Sequence, residues 1–454
     1  MGRIRGRTHV TDLCHLSVAE AGAAFRNGSL TARPVVQAQL ARITSLNPSL
    51  HAFVVVAEDQ ALAAAAQADA DFAAGIDRGP LQGIGFAVKD MIDVAGLPTR
   101  CGSYQSSDAR APQDAAVVAT LRAQGAVPLG KVATYEHALN GPTFDAPSPP
   151  PVNPWNPAHI TGGSSSGAAA AVASGMVRLA IGTDTGGSIR SPACYCGIVG
   201  LKPSFAVLPL AGVHPLSKSL DHVGPMGATV AETALMATAM GVPAGTRLGQ
   251  PLRGLTVGYA RDWFAADPAT NPAVLQAMDQ AMSDLTLIGI RVEMVTLPDY
   301  AEMESIGITL LQYESHALHK ATLKTGRYGM AARAALEAGS GISAETYARA
   351  QKAAIHLRAQ IEGALARHDA IATANVLSTA PAMADFAHGA VWTAMRTLPF
   401  NITGHPALAL PIGFAGGLPI GMQFVGGQQQ EAILCQIGSA FENATDHSAI
   451  KPPL

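Results

Sequence analysis

Two serine-bearing glycine loops and a lysine on an apolar segment are the residues of this 454-residue chain best suited to nucleophilic chemistry. The loops read Gly162-Gly163-Ser164-Ser165-Ser166-Gly167 and Asp184-Thr185-Gly186-Gly187-Ser188-Ile189-Arg190; the lysine lies in Phe86-Ala87-Val88-Lys89-Asp90. Serine is a weak nucleophile until a base takes its proton. Neither loop contains a histidine, so the base must come from elsewhere, and a neutral Lys89 can serve. Free lysine titrates near ~10.4, and bringing it close to neutrality disfavours its charge by about 4 kcal/mol, which burial or a cationic neighbour supplies. Gly186 and Gly187 put unhindered N–H groups beside Ser188, and such donors stabilise a developing oxyanion by roughly 3–4 kcal/mol each. Gly162 and Gly163 permit backbone conformations that aim the Ser164 hydroxyl between Ser188 and Lys89.

Positioning these groups requires strands that end at them. Residues 83–90 alternate and read as a buried strand finishing at Lys89-Asp90, with Asp90 on the opposite face. Residues 177–183 read as a second strand delivering the chain to Asp184, after a helix over 166–174. Loops at the carboxyl ends of strands are where open α/β sheets bind ligands. Ahead of them, Ser17-Val18-Ala19-Glu20 forms a capping box with Gly28 as a stop, a helix follows Thr31 and ends near Asn47-Pro48, and a third covers 58–74. A helix over 114–124 and a strand over 126–129 come next, and the proline-rich run 146–157 is expected to be irregular. Downstream lie a strand over 255–259, a helix over 271–288, a strand over 291–296, a helical region over 302–366, and short strands and turns over 400–425.

Composition narrows the function class. A net charge of −3 provides no basic field for nucleic acid, and Arg3, Arg5 and Arg7 read as a solvated tail. The apolar run 168–181 is interrupted by Arg178 and too short to span a bilayer. The start, Met1-Gly2-Arg3-Ile4-Arg5-Gly6, lacks the hydroxyl residue of a myristoylation signal, and no apolar signal core follows. Five scattered cysteines fit neither a redox motif nor a zinc site; Cys194 and Cys196, if on a strand, share a face away from Tyr195. Reduced thiols and a cytoplasmic location are expected.

The chain resembles the amidase signature family. The resemblance is carried by Gly162 to Gly167, by Gly182-Thr183-Asp184-Thr185-Gly186-Gly187-Ser188-Ile189-Arg190-Ser191-Pro192-Ala193, and by Cys196-Gly197-Ile198-Val199-Gly200-Leu201-Lys202-Pro203. It extends to Val88-Lys89-Asp90, Asn153-Pro154-Trp155-Asn156, Leu220-Asp221-His222-Val223-Gly224-Pro225 and Pro399-Phe400-Asn401-Ile402-Thr403-Gly404-His405-Pro406-Ala407. It implies an α/β fold with one large domain over 1–454: a helical preface (1–75), a signature core (76–235) and the rest of the sheet with pocket helices (236–454). It also implies a Ser–cis-Ser–Lys triad. Ser188 would be the acylated nucleophile, Ser164 a bridging serine preceded by a cis peptide that also touches substrate, and Lys89 the base. The oxyanion hole would fall on the N–H groups of Thr185, Gly186, Gly187 and Ser188, and Ala138 would line the acyl pocket. Asp184, Arg190 and Ser165 would support the loops. Ala168, Thr161, Ser204-Phe205-Ala206 and His137 stand where the family often has serine, proline, a threonine–tyrosine–glycine run and phenylalanine.

The reading is a metal-free, cofactor-free hydrolase of a small linear carboxamide that releases ammonia or an amine. It needs no direct nucleic-acid or membrane contact, and a homodimer is left open. The alternatives are the amidase component of a tRNA-dependent amidotransferase, a urea-type (allophanate or biuret-like) hydrolase, and a catalytically silent scaffold. Gly163-Ser164-Ser165-Ser166-Gly167 also satisfies the nucleophile-elbow pattern, but the prolines ahead of it argue against the required strand. Residues 125–131 nearly match a phosphate loop by coincidence, since Val132 replaces the needed hydroxyl. His316 and His319 read as a solvated helix face rather than a metal site. Arg190 is expected to anchor its loop, with pairing to an acidic substrate as the lesser reading.

Overall fold

Buried apolar runs at β2 (Gly85–Lys89) and β6 (Leu179–Asp184) place both strands in the interior of a sheet, covered on both faces. The computed structural model describes residues 13–139, 141–389, 391 and 393–454; the arginine tail and the N-terminal signal reading lie outside them. The other strands are β1 (Phe53–Val56), β3 (Val127–Val132), β4 (Val152–Asn153), β5 (Asn156–Ile160), β7 (Val199–Lys202), β8 (His222–Gly227), β9 (Thr256–Tyr259), β10 (Arg291–Met294), β11 (Ala370–Ala374), β12 (Ala407–Ala415) and β13 (Leu418–Val425). Among the described residues, eleven form one mixed sheet in the order β1-β3-β2-β6-β8-β7-β12-β13-β11-β9-β10. Strand β2 runs parallel to β3 and β6, whereas β8, β7, β12 and β13 continue antiparallel. The carboxyl ends of β2 and β6 therefore open at the same edge.

Helices cover the sheet. Ser17 and Glu20 close the expected capping box on Val18–Arg26. The next helix, Ala32–Leu50, runs past Pro48 because that proline sits in its last turn, and His51 closes it in the left-handed region. The helical region after residue 300 resolves into Tyr300–His319, Met330–Ala338 and Ala344–Leu365. No helix among the described residues is long and apolar enough to cross a membrane.

Several elements depart from the sequence reading. Strand β3 extends to Val132, and Leu129 is an extra residue beside Pro128, where a bulge tolerates the missing N–H donor. Part of the proline-rich run is regular: β4 and β5 form a small antiparallel ribbon outside the main sheet, with Pro154 in its turn. Residues 400–425 are dominated by one long hairpin, turned by Gly416 and Gly417 at φ +58° and +78°. Both glycines supply the positive φ that such a two-residue turn requires. Cys194 and Cys196 sit on the helix Arg190–Cys196, not on a strand, and all five cysteines are free and buried.

Candidate active site

Strand β2 ends with Lys89 fully buried, and Val88 pairs with Ile181 of β6. That register places Thr183 beside the lysine. Lys89 Nζ lies 2.6 Å from Ser164 Oγ and donates to Thr183 Oγ1 at 2.6 Å. Burial pushes the ammonium down to about 7, against the opposing pull of Asp184, Asp221 and Cys101. The neutral amine that the chemistry needs is therefore accessible near neutral pH. Asp90 leaves on the other face and pairs with Lys131 at 2.9 Å. Lys131 is thus a buried strand residue, which disposes of the phosphate-loop resemblance.

The first glycine loop enters the helix Ser166–Ala173, whose small residues are buried. A Cβ on Gly167 would fall 2.9 Å from Ala133 O, so only a bare backbone allows this close packing. Ser165 does not face substrate; its Oγ accepts from Thr183 N–H and donates to Thr183 O, clamping the loop to β6. That bond, and the position of β5 outside the main sheet, leave no nucleophile elbow at Ser165. Ser165 N–H also donates to Ser188 O at 3.2 Å, joining the two loops.

Gly163 is the point of closest approach. With φ at +32°, an added Cβ would meet Pro192 Cδ at 2.6 Å and Ser188 Cα at 3.0 Å. Gly163→Ala should therefore push the loops apart and slow covalent labelling of Ser188 by about tenfold or more, with a loss of about 1–3 kcal/mol in denaturant unfolding. Unchanged labelling would mean that loop spacing does not matter.

The second loop is organised by Asp184. Its carboxylate accepts Gly187 N–H at 2.9 Å, Ile189 N–H at 3.1 Å and two guanidinium bonds from Arg190 at 2.9 and 3.0 Å. Burial alone would raise this carboxyl; Arg190, Lys202 and Asn401 overcome that and hold it well below the ordinary carboxylate range. Arg190 also bonds Thr397 O, Gln423 and Asn401 and is fully buried, so it is an anchor and does not meet substrate.

Two expectations about these loops need correcting. All described peptide bonds are trans, so no cis bond precedes Ser164; Gly162 and Gly163, at φ +79° and +32°, turn the chain instead. Gly187 N–H is committed to Asp184, which removes it from the oxyanion set and leaves Thr185, Gly186 and Ser188 as candidates.

A cleft of about 620 Å³, counted to its open mouth, lies over this edge and is lined by Ser164, Ser188, the glycine loop and Ala138. Ala138 is where the resemblance puts it, at φ +61°. Its neighbour His137 is buried edge-on to His319, with ring centres 4.6 Å apart, and burial pushes its imidazole down to about 3. His316 and His319 are half-buried rather than solvated, bonded to Leu336 O and to the Tyr328 hydroxyl. No group of three or more His, Cys, Asp or Glu among the described residues could hold a metal. The sequence reading missed Thr183, Asn401, Ser191 in the cleft, and Asp221, which accepts from Thr185 Oγ1 at 2.6 Å. Strand parity between Ile181 and Thr183 was the one available signal, and it needed the β2–β6 register.

A family model described as Amidase matches residues 34–435. This chain belongs to the amidase family. Among curated amidase-family relatives, the amidase-type component of the glutamyl-tRNA(Gln) amidotransferase of Synechococcus sp. (strain WH7803) is 34% identical over 96% of this chain and 99% of the relative. The native peptide amidase of Stenotrophomonas maltophilia shares 30% identity at a TM-score of 0.83, covering 97% of this chain and 98% of that one. An inhibitor-bound structure from work on the origins of an s-triazine catabolic enzyme shares 29% identity at a TM-score of 0.88, covering 96% and 99%. The amidase-family fold, a large mixed sheet with helices on both faces, and the hydrolase class accord with the sequence reading.

Proposed function

We propose that this amidase-family hydrolase cleaves the C–N bond of a linear carboxamide through an acyl-enzyme on Ser188. The observation that carries the proposal is the buried Lys89 amine, 2.6 Å from Ser164 Oγ and pushed down to about 7. Ser188 Oγ attacks the carbonyl carbon; its proton passes to Ser164 Oγ as Ser164 gives its own to neutral Lys89. The oxyanion forms against the N–H groups of the Thr185–Ser188 turn. The protonated lysine then returns the proton through Ser164 to the leaving nitrogen, and ammonia or an amine departs. Water enters by the same relay and releases the acid.

A fluorophosphonate probe should label the wild-type protein at Ser188 and leave Ser188→Ala unlabelled, read by peptide mass. Ammonia release from aliphatic, aryl, malonyl, ureido and peptide C-terminal amides then identifies the substrate. A wild-type protein that neither labels nor releases ammonia from any of them would sink the reading in favour of a silent scaffold.

The names of the curated relatives favour the second reading, the amidase component of a tRNA-dependent amidotransferase. Co-purification with partner proteins of such a complex, with glutamine as the preferred amide, would decide for it. A cytoplasmic location accords with relatives of that name. A urea-type substrate gains no support from the cleft, whose described lining offers no cation.

A further inference from the structure

The walls of the cleft carry information about the acyl group. Leu139, Ile160, Leu216, Leu311, Phe386 and Met395 supply most of the surface around Ser188. The polar groups among the described lining are hydroxyls and backbone; no side chain there is charged, and residues 389–395 contain no ionisable type. The charges nearby are committed elsewhere. Arg190 is spent on Asp184, Gln423 and Asn401. Arg396, next to Met395 in sequence, turns away to Trp263 O and Asp267, with its guanidinium 3.9 Å from the centre of the Tyr300 ring. Asp221 accepts from Thr185, Leu216 and Ser217, and Glu314 from Ser217, Ser219 and Tyr347.

We infer that the cleft selects amides with an uncharged, apolar acyl group and rejects zwitterionic amides such as glutamine. This rests on the acyl-transfer reading of Ser188. An ammonium and a carboxylate brought against these walls lose their water and gain no partner, a cost that alkyl chains do not carry. Apolar acyl groups instead bury surface against the leucines and Phe386. Selectivity of this kind sets the chain apart from an ammonia-supplying enzyme fed by free glutamine.

Pentanamide and glutamine isolate the effect, since they share a five-carbon chain and differ in the two charges. The kcat/KM for pentanamide should exceed that for glutamine by about 100-fold or more. Leu311→Arg should lower pentanamide turnover and raise that of glutaramate, a monoanion of the same length. Glutamine turned over as well as pentanamide, or a glutaramate rate unmoved by Leu311→Arg, would overturn the inference. Calorimetric titration of the Ser188→Ala protein reads selectivity without turnover. Pentanamide binding with glutamine silent supports the inference even if catalysis fails, whereas glutamine binding alone, or binding of neither, overturns it. Loss of fluorophosphonate labelling tells separately against the seryl mechanism.

Discussion

Lys89→Ala should lower kcat by about 10²- to 10⁴-fold, the usual contribution of a positioned base. The pH profile makes the assignment specific. The wild-type base works only when neutral, so kcat/KM should rise as pH increases through about 7, where Lys89 loses its proton, and then level off. In Lys89→Ala that inflection should vanish, and the residual rate should keep climbing at high pH as the serine hydroxyls ionise unaided. Lys89→Arg should not restore activity, because a guanidinium stays charged throughout. Near wild-type turnover in Lys89→Ala, or an inflection near 7 that survives it, would falsify the relay. Fluorophosphonate labelling should fall in parallel, since it uses the same nucleophile without the leaving-group step.

The second large effect is on stability. Asp184→Asn leaves the guanidinium of Arg190 buried and without its counter-charge, and removes acceptor capacity from the Gly187, Ile189 and Asn401 bonds. Breaking one side of a buried pair costs about 3–5 kcal/mol. Urea unfolding should show a loss of that size, together with reduced labelling of Ser188 as its turn loosens. The double change Asp184→Asn with Arg190→Met should recover part of the stability, because the orphaned charge is gone, while labelling stays low. If Asp184→Asn unfolds like wild type, the carboxylate is not what holds the turn.

The catalytic constellation was legible because its parts are local. Glycine spacing declares where the chain turns tightly, and an apolar run ending in lysine declares a buried base. The helix at Val18–Arg26 was legible for the same reason, since Ser17 and Glu20 lie within one turn. What stayed hidden depends on partners far away in the chain. Strand β8 contains Gly224 and Pro225 and has no strand propensity to speak of; β6, pairing Ile181 with Pro225, makes it one. Thr183 meets Lys89 only through strand register, and Asn401 and Gln423 reach Arg190 from more than 200 residues downstream. The commitment of Gly187 N–H to Asp184 was equally invisible, because sequence shows which donors exist and not which are already taken.

The loop carrying Leu216 hangs between two carboxylates. Asp221 ties it to Thr185 at the end of β6, and Glu314, one turn beyond Leu311, ties it to the helix Tyr300–His319. The wall that feels the acyl group and the strand end that must stabilise its carbonyl are thus mounted on one frame. An ill-fitting acyl group that displaces Leu216 or Leu311 would also misalign the turn that receives the oxyanion. Discrimination between substrates in this protein should accordingly register in turnover number and not in the Michaelis constant alone, with poor substrates bound yet idle.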